Sequence, residues 1–267
     1  MKGPKELLAH EDHWNTRMGL VFPGERVVFR GKDLFHELKN MRWMELLLFG
    51  ITGRQFSENQ IRLFEGIWST CTSYPDPRIW NNRVAALAGT VRSTPVLGIS
   101  AAIAVSEATI YGFKPIIGAY NFISQVRERA SLGKSLESIV IEELKRYRSI
   151  PGYARPIVNA DERILPLCNL AKELNLGSGE NTQLAFKIEE ILQNHRYRLK
   201  INVAALAAAL AADQGLSAHE YYQYLIPCFI GGMIPCFIEA RHRYEGIFLP
   251  LSCTRIHYEG APSRKWL

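Results

Sequence analysis

From Asp33 to Ala212 the apolar residues of this chain recur three and four positions apart, and strict alternation never lasts more than a few residues. That spacing restricts the fold more than any other feature. Steps of three and four place apolar side chains on one face of an α-helix, whereas a half-buried strand needs a period of two. A chain patterned this way packs helix on helix. Its 267 residues, 47% apolar and 22% charged, suffice to close a core over one large domain or two smaller ones.

The pattern begins at Asp33, with Phe35, Leu38, Met41 and Met44-Leu46-Leu47-Leu48 at helical spacing, and Gly50 and Gly53 marking a stop. Ser57 to Gln60 reads as a capping box, in which the Ser hydroxyl takes an orphan amide and the Gln side chain reaches back. Ile61, Phe64, Ile67 and Trp68 follow on one face. Helical patterns resume over Arg78 to Leu87 and Val96 to Ala108, where Gly98, Ser100, Ala101 and Ala102 admit close packing. Ser135 to Tyr147 is amphipathic, with Ile139, Ile141 and Leu144 set against Glu and Lys/Arg. Further helices are predicted from Asp161, over Asn181 to Asn194, and over Asn202 to Ala212 with Gly215 as the stop. Ser217 to Glu220 is a second capping box, opening a stretch, Tyr221 to Ile238, with no charged residue. Pro227, Pro235 and Gly231-Gly232 interrupt that stretch, so it reads as a buried core helix rather than a membrane span. The one strand signal is the β-branched run between Gly24 and Gly31.

The net charge of +6 suits an anionic ligand, but the Lys and Arg residues are scattered. A solvated basic surface is therefore expected, not a nucleic-acid face. The five cysteines are odd in number and form no CxxC pair, so reduced cytoplasmic thiols are expected, with neither a disulfide framework nor a metal site. The first six residues are charged and lack the apolar core of a signal peptide.

The order of landmarks resembles the citrate synthase family, in particular its shorter, citryl-CoA-lyase-like members. Phe22 to Gly31 resembles the family's ribbon before its first core helices, and Arg83-Val84-Ala85-Ala86-Leu87-Ala88-Gly89-Thr90 its "ARVVAST" helix. Pro115-Ile116-Ile117-Gly118-Ala119-Tyr120-Asn121 stands where the family has "PLHGGAN", and Ile150-Pro151-Gly152-Tyr153-Ala154-Arg155-Pro156-Ile157 where it has "IPGFGHPV". Ile201-Asn202-Val203 and the tail Arg255 to Gly260 are similar to "PNVDFYSG" and "RAEYVG". The resemblance implies an all-α homodimer. A large helical domain over 1–118 and 212–267 would carry a minor N-terminal β-ribbon, and a small helical domain over 119–211 would close over the substrates.

The family reaction is a Claisen-type condensation with a coenzyme A thioester, or its reversal. It needs an Asp base, a His that polarises the thioester carbonyl, a second His at the ketone, and arginines that hold carboxylates. At the matching positions this chain has Ala204 for the base, Ile117 for the first His and Arg155 for the second. Ser73 falls at a substrate-binding His, and Phe229, Cys253 and Asn159 fall where carboxylate-binding arginines are expected. Neither Ile nor Ala moves a proton, and the next acid after Ala204 is Asp213, more than two helical turns on. Ordinary citrate synthase activity is therefore not expected.

The segment Ser73 to Arg83 is unusually polar and aromatic for a core helix start, and the resemblance places it at the substrate pocket. Asp76, Arg78 and Arg155 are the candidate catalytic residues; Ser73, Tyr74, Asn81, Tyr120 and Asn121 are the candidate substrate-binding residues. Each has a plain alternative: Asp76 capping the next helix with Arg78 paired to it, and Arg155 in an ion pair. Three functions remain open. One is a divergent acyltransferase or carbon–carbon lyase using a coenzyme A thioester. A second is a non-catalytic homologue binding a small carboxylate or a partner, and a third is a biosynthetic enzyme that has dropped coenzyme A.

Overall fold

The computed structural model describes residues 3–264 except 14, 72–73, 156–157, 159, 196–197, 246, 248–251 and 263, and for Cys253 the backbone alone. Among the described residues are eleven α-helices and three short strands, β1 (Gly19–Phe22), β2 (Arg26–Phe29) and β3 (Lys32–Asp33), in one antiparallel ribbon of order β1-β2-β3. The ribbon extends beyond the Gly24–Gly31 run, because Leu20 pairs with Val28 and Phe22 with Arg26 across the turn at Gly24.

The chain divides into two compact units, one of residues 1–71 and 113–225, the other of 72–112 and 226–267. The first unit carries α1 (Pro4–Ala9), the ribbon, α2 (Trp43–Thr52), α3 (Glu58–Cys71), α6 (Phe113–Ser131), α7 (Leu136–Tyr147), α8 (Ile164–Glu173), α9 (Glu180–Gln193) and α10 (Val203–Asp213). The second carries α4 (Trp80–Thr90) and α5 (Pro95–Val105). The division falls within α11 (Ala218–His242), next to Pro227. This partition groups 119–211 with 1–71, because α3 packs on both α8 and α10. It cuts the chain at other points than the partition implied by the resemblance.

Helix α10 is the axis of the first unit. Val203 and every residue from Ala205 to Ala211 is buried, as an all-apolar, alanine-rich helix requires. The small side chains let α6 and α9 approach closely. Asn202 caps its start by accepting a bond from the Ala204 N–H at 2.9 Å. Gly215, at φ +80°, ends it in a Schellman turn, with Leu216 N–H on the Ala211 carbonyl at 3.2 Å and Gly215 N–H on Ala212 at 2.9 Å. Both predicted capping boxes form: Ser57 N–H donates to Gln60 and Ser217 N–H to Glu220, at 2.9 and 2.8 Å.

The expected helix over Asp33 to Met41 does not form; Asp33 ends β3, the residues after it make turns, and α2 starts only at Trp43. Asp33 Oδ1 accepts the N–H groups of Phe35 and His36, both at 2.9 Å, and this local bonding competes with the helical ladder. In α7 the buried residues are Ile139, Val140 and Leu144, so the core stripe includes Val140 rather than Ile141. Helix α8 starts three residues after Asp161.

In the second unit α4 packs on α5, and Ala85, Ala102, Met233 and Phe237 form its core. A Cβ on Gly98 would stand 2.8 Å from that of Ala88, so the small residues of α5 do serve close packing. Helix α11 is long and apolar enough to cross a membrane by length and composition, with 44% of its most apolar window buried inside the protein. Its two prolines do not end it. Buried Tyr221, Tyr224 and Leu225 anchor it before Pro227, and buried Met233, Cys236 and Phe237 anchor the stretch around Pro235.

Candidate functional site

Three segments of the first unit meet at the start of α10. The loop after α7 is strapped to the segment before α10. Tyr153 pairs with Ile201, Ala154 N–H donates to the Lys200 carbonyl at 2.7 Å, and Asn202 N–H to Gly152 at 2.9 Å. Asn202 Nδ2 adds a bond to the Ala154 carbonyl at 2.8 Å. Gly152 has φ +88°, and a Cβ there would lie 2.6 Å from Ala205 Cβ and 2.9 Å from Ala119 Cβ. Only glycine lets the loop backbone pass between α6 and α10. Beside it, the space a Gly118 Cβ would fill is bounded by Pro151 at 3.1 Å. The chain segments bearing Ile117, Arg155 and Ala204, far apart in sequence, are thus held side by side.

The charged centre of this region is Asp161, whose side chain is fully buried. Its Oδ1 accepts Arg163 Nε at 2.7 Å and Arg163 N–H at 3.2 Å. Its Oδ2 accepts Arg163 Nη2 at 2.7 Å and the Val203 N–H of the first turn of α10 at 2.9 Å. Burial pushes the Asp161 pKa up, but the bonds from Arg163 and Val203 and the Arg163 charge outweigh it, leaving the carboxyl below its ordinary value. Arg155 stands 3.7 Å from Asp161 and pairs more closely with Glu162. Asp161, Arg155 and Arg163 therefore form one cluster at the positive end of α10. Of these, the sequence reading singled out Arg155 alone. The available signal was Asp161 standing two residues before Arg163, just ahead of an apolar helix.

Asp213 cannot stand in for a base at Ala204. Its Oδ1 accepts Asn181 N–H and Nδ2, both at 2.8 Å, and its Oδ2 accepts Thr182 N–H at 3.0 Å and the Thr182 hydroxyl at 2.7 Å. It supplies the N-terminal cap that Gly179 lacks, and holds α9 against the end of α10.

Of the other candidates in the first unit, Tyr120 donates its hydroxyl to the Leu216 carbonyl at 2.5 Å and stacks on Tyr221. Burial raises its pKa. Asn121 follows it on α6 with its side chain exposed. In the second unit Asp76 Oδ1 caps Arg78 N–H at 2.9 Å, and the Arg78 guanidinium grips the carboxylate with Nη2 to Oδ2 at 2.7 Å. The Arg78 bonds and charge hold Asp76 below the usual carboxylate range. Of the local alternative for this pair, the ion pair is present and the helix cap is not: Asp76 bonds the turn at Arg78, two residues before α4, whose N-cap Ile79 has no side-chain bond. Asn81 is buried, with Nδ2 on the Ser106 hydroxyl at 3.1 Å and Oδ1 on Asn82 N–H at 2.9 Å. The Tyr74 carbonyl accepts from Asn82. Ser73 and Asn159 lie outside the described residues, as does the Cys253 side chain. No group of three or more His, Cys, Asp or Glu that could hold a metal occurs among the described residues.

No protein-family model and no curated protein matches the chain by sequence. Solved structures do match it. Citryl-CoA lyase from Hydrogenobacter thermophilus is similar over 96% of this chain and 98% of its own, with a TM-score of 0.83 and 21% identity. ATP citrate lyase from Methanothrix soehngenii, in complex with citrate and coenzyme A, is similar over 98% of this chain and 45% of its own, with a TM-score of 0.75 and 18% identity. Citrate synthase from Thermoplasma acidophilum is similar over 84% and 58%, with a TM-score of 0.66 and 17% identity. The chain has the citrate synthase-like, all-α fold that the landmarks implied.

Proposed function

We propose that this chain is a divergent acyltransferase or carbon–carbon lyase that takes a coenzyme A thioester and a small carboxylate, without ordinary citrate synthase activity. The observation that carries the reading is the meeting of the Ile117, Arg155 and Ala204 segments beside the Asp161–Arg163 pair at the start of α10. Arg155, whose pairing partner Glu162 is exposed, can turn from it to an anionic substrate, and the chain's charge of +6 favours the substrate's approach. Arg155, 25% exposed, is the group we assign to the carboxylate, and buried Asp161 bonds Arg163 near it. Ile117 and Ala204 offer nothing to take a proton from an acetyl group, and loss of a general base costs about 10²–10⁴ in rate.

In this reading 119–211 is the smaller, closing domain against 1–118 and 212–267. Asp76, Arg78 and Arg155 are assigned to catalysis and Ser73, Tyr74, Asn81, Tyr120 and Asn121 to substrate binding, each tested by its own variant. The protein is cytoplasmic, in keeping with the free thiols of Cys71, Cys168, Cys228 and Cys236. It is a homodimer, joined through the second unit, where Val96, Leu97 and Val105 of α5 and Ile234 and Ile238 of α11 are exposed apolar side chains.

A second reading, a non-catalytic binding homologue, is favoured by the engagement of both Asp161 and Asp213 in structural bonds. A thermal-shift series with coenzyme A, acetyl-CoA, citrate and oxaloacetate separates the two. Stabilisation by coenzyme A that falls in Arg155→Ala supports the enzyme reading. A response to carboxylates alone supports the binding homologue or a coenzyme A-independent enzyme.

A further inference from the structure

Helices α8, α9 and α10 leave a cavity of about 240 Å³ within the first unit. Ala171 of α8, Phe186 of α9 and Leu206 and Leu210 of α10 give it apolar walls. The polar lining comes from Cys168 and Lys172, one turn apart on α8, and from Thr182. The Thr182 hydroxyl proton is committed to Asp213 at 2.7 Å, so that oxygen has only a lone pair left to offer. Lys172 lies on the exposed side of α8 and has no ion pair among the described residues. Its charge reaches Cys168, where it opposes the rise in thiol pKa caused by burial and by the Glu189 carboxylate.

A partly open pocket with an apolar wall and one uncommitted cation is a defined recognition pattern: a compact hydrophobic body carrying a single negative charge. Size narrows it further. A dry apolar cavity of about 150 Å³ holds benzene, and about 30 Å³ more is needed for each further small polar atom. We propose that this cavity binds a small amphiphilic monocarboxylate of about six to eight carbons, its carboxylate on Lys172 and its apolar body among Ala171, Phe186, Leu206 and Leu210. A di- or tricarboxylate is rejected, because its second charge would face the leucines without a partner. A coenzyme A thioester is too large to enter.

The site is probed with benzoate, benzyl alcohol and citrate by titration calorimetry, and by maleimide labelling of Cys168 read from its peptide by mass spectrometry. Benzoate is expected to bind with Kd on the order of 0.1–1 mM, from nine heavy atoms at ordinary ligand efficiency. Lys172→Gln, at an exposed position, should weaken benzoate about fivefold and leave benzyl alcohol unchanged. Saturating benzoate should slow Cys168 labelling in the unaltered protein several-fold, a readout that needs no variant. Citrate should do neither. The proposal is overturned by no binding up to about 10 mM benzoate, by equal benzoate affinity in Lys172→Gln, or by Cys168 labelling that ignores benzoate. None of these probes carries coenzyme A, so the outcome is independent of the thioester reading.

Discussion

Replacing Asp161 by Asn removes one charge from a fully buried side chain and leaves its shape. The carboxylate accepts three bonds from Arg163 and one from the Val203 N–H. Breaking a buried pair by deleting one partner costs about 3–5 kcal/mol when the other charge is stranded. Arg163 is 21% exposed and can turn partly to water, and the Asn carbonyl can still accept from Val203, so we expect a loss of about 2–3 kcal/mol. The sign of the pH dependence follows from the depressed pKa. A carboxylate lowered in the folded state stabilises fully above its ordinary value of 3.8, and that contribution is lost as pH falls through the folded pKa. Urea unfolding of both proteins, followed by circular dichroism, should show a constant difference from about pH 5 to 8 and a shrinking one below about pH 4. Glu162→Gln is the control: Glu162 is 63% exposed, so loss of its pairing with Arg155 should cost less than about 1 kcal/mol. A difference for Asp161→Asn below about 0.5 kcal/mol, or one that widens in acid, would refute the assignment of Asp161 as the buried anchor of this region.

Other consequences are equally direct. Asp213→Ala removes four bonds to the start of α9 and should cost about 2–3 kcal/mol, lowering the melting temperature by roughly 4–10 °C in a chain of this size. Gly152→Ala places a Cβ within 2.6 Å of Ala205 at φ +88°, and should destabilise by about 2–4 kcal/mol in the same scan. Burial pushes the thiol of half-buried Cys71 up to about 12, so at pH 8 it should react with maleimide more slowly in the folded protein than in urea. The proposed dimer predicts that the unaltered chain scatters light as a dimer and that Leu97→Glu or Ile238→Glu, at exposed apolar groups of the second unit, gives a folded monomer.

The elements most legible in the sequence were those fixed by local rules. Ser57 with Gln60, Ser217 with Glu220, and Gly215 state their turns in the chain itself. The alanine run after Asn202 could hardly be anything but a buried helix. Residues 33–41 misled because their apolar spacing is helical while Asp33 folds back on its own backbone. The site was legible only in part. Arg155 and Ala204 are far apart in sequence, and what joins them is the Tyr153–Ile201 bridge, a pairing that no local pattern announces. Asp161 escaped notice for the same reason: its decisive partner, the Val203 N–H, lies 42 residues on. Asp76 and Arg78 stood out as polar, yet their side chains bond to each other.

The most direct test of the account is release of free coenzyme A thiol from acetyl-CoA in the presence of oxaloacetate, measured on the purified protein beside an authentic citrate synthase. On the proposed correspondence, which puts Ile117 and Ala204 where a proton must move, thiol release should not exceed the uncatalysed background. Turnover comparable to the reference enzyme would mean that a working acid-base pair exists in this chain, and would contradict the reading of its active site as divergent.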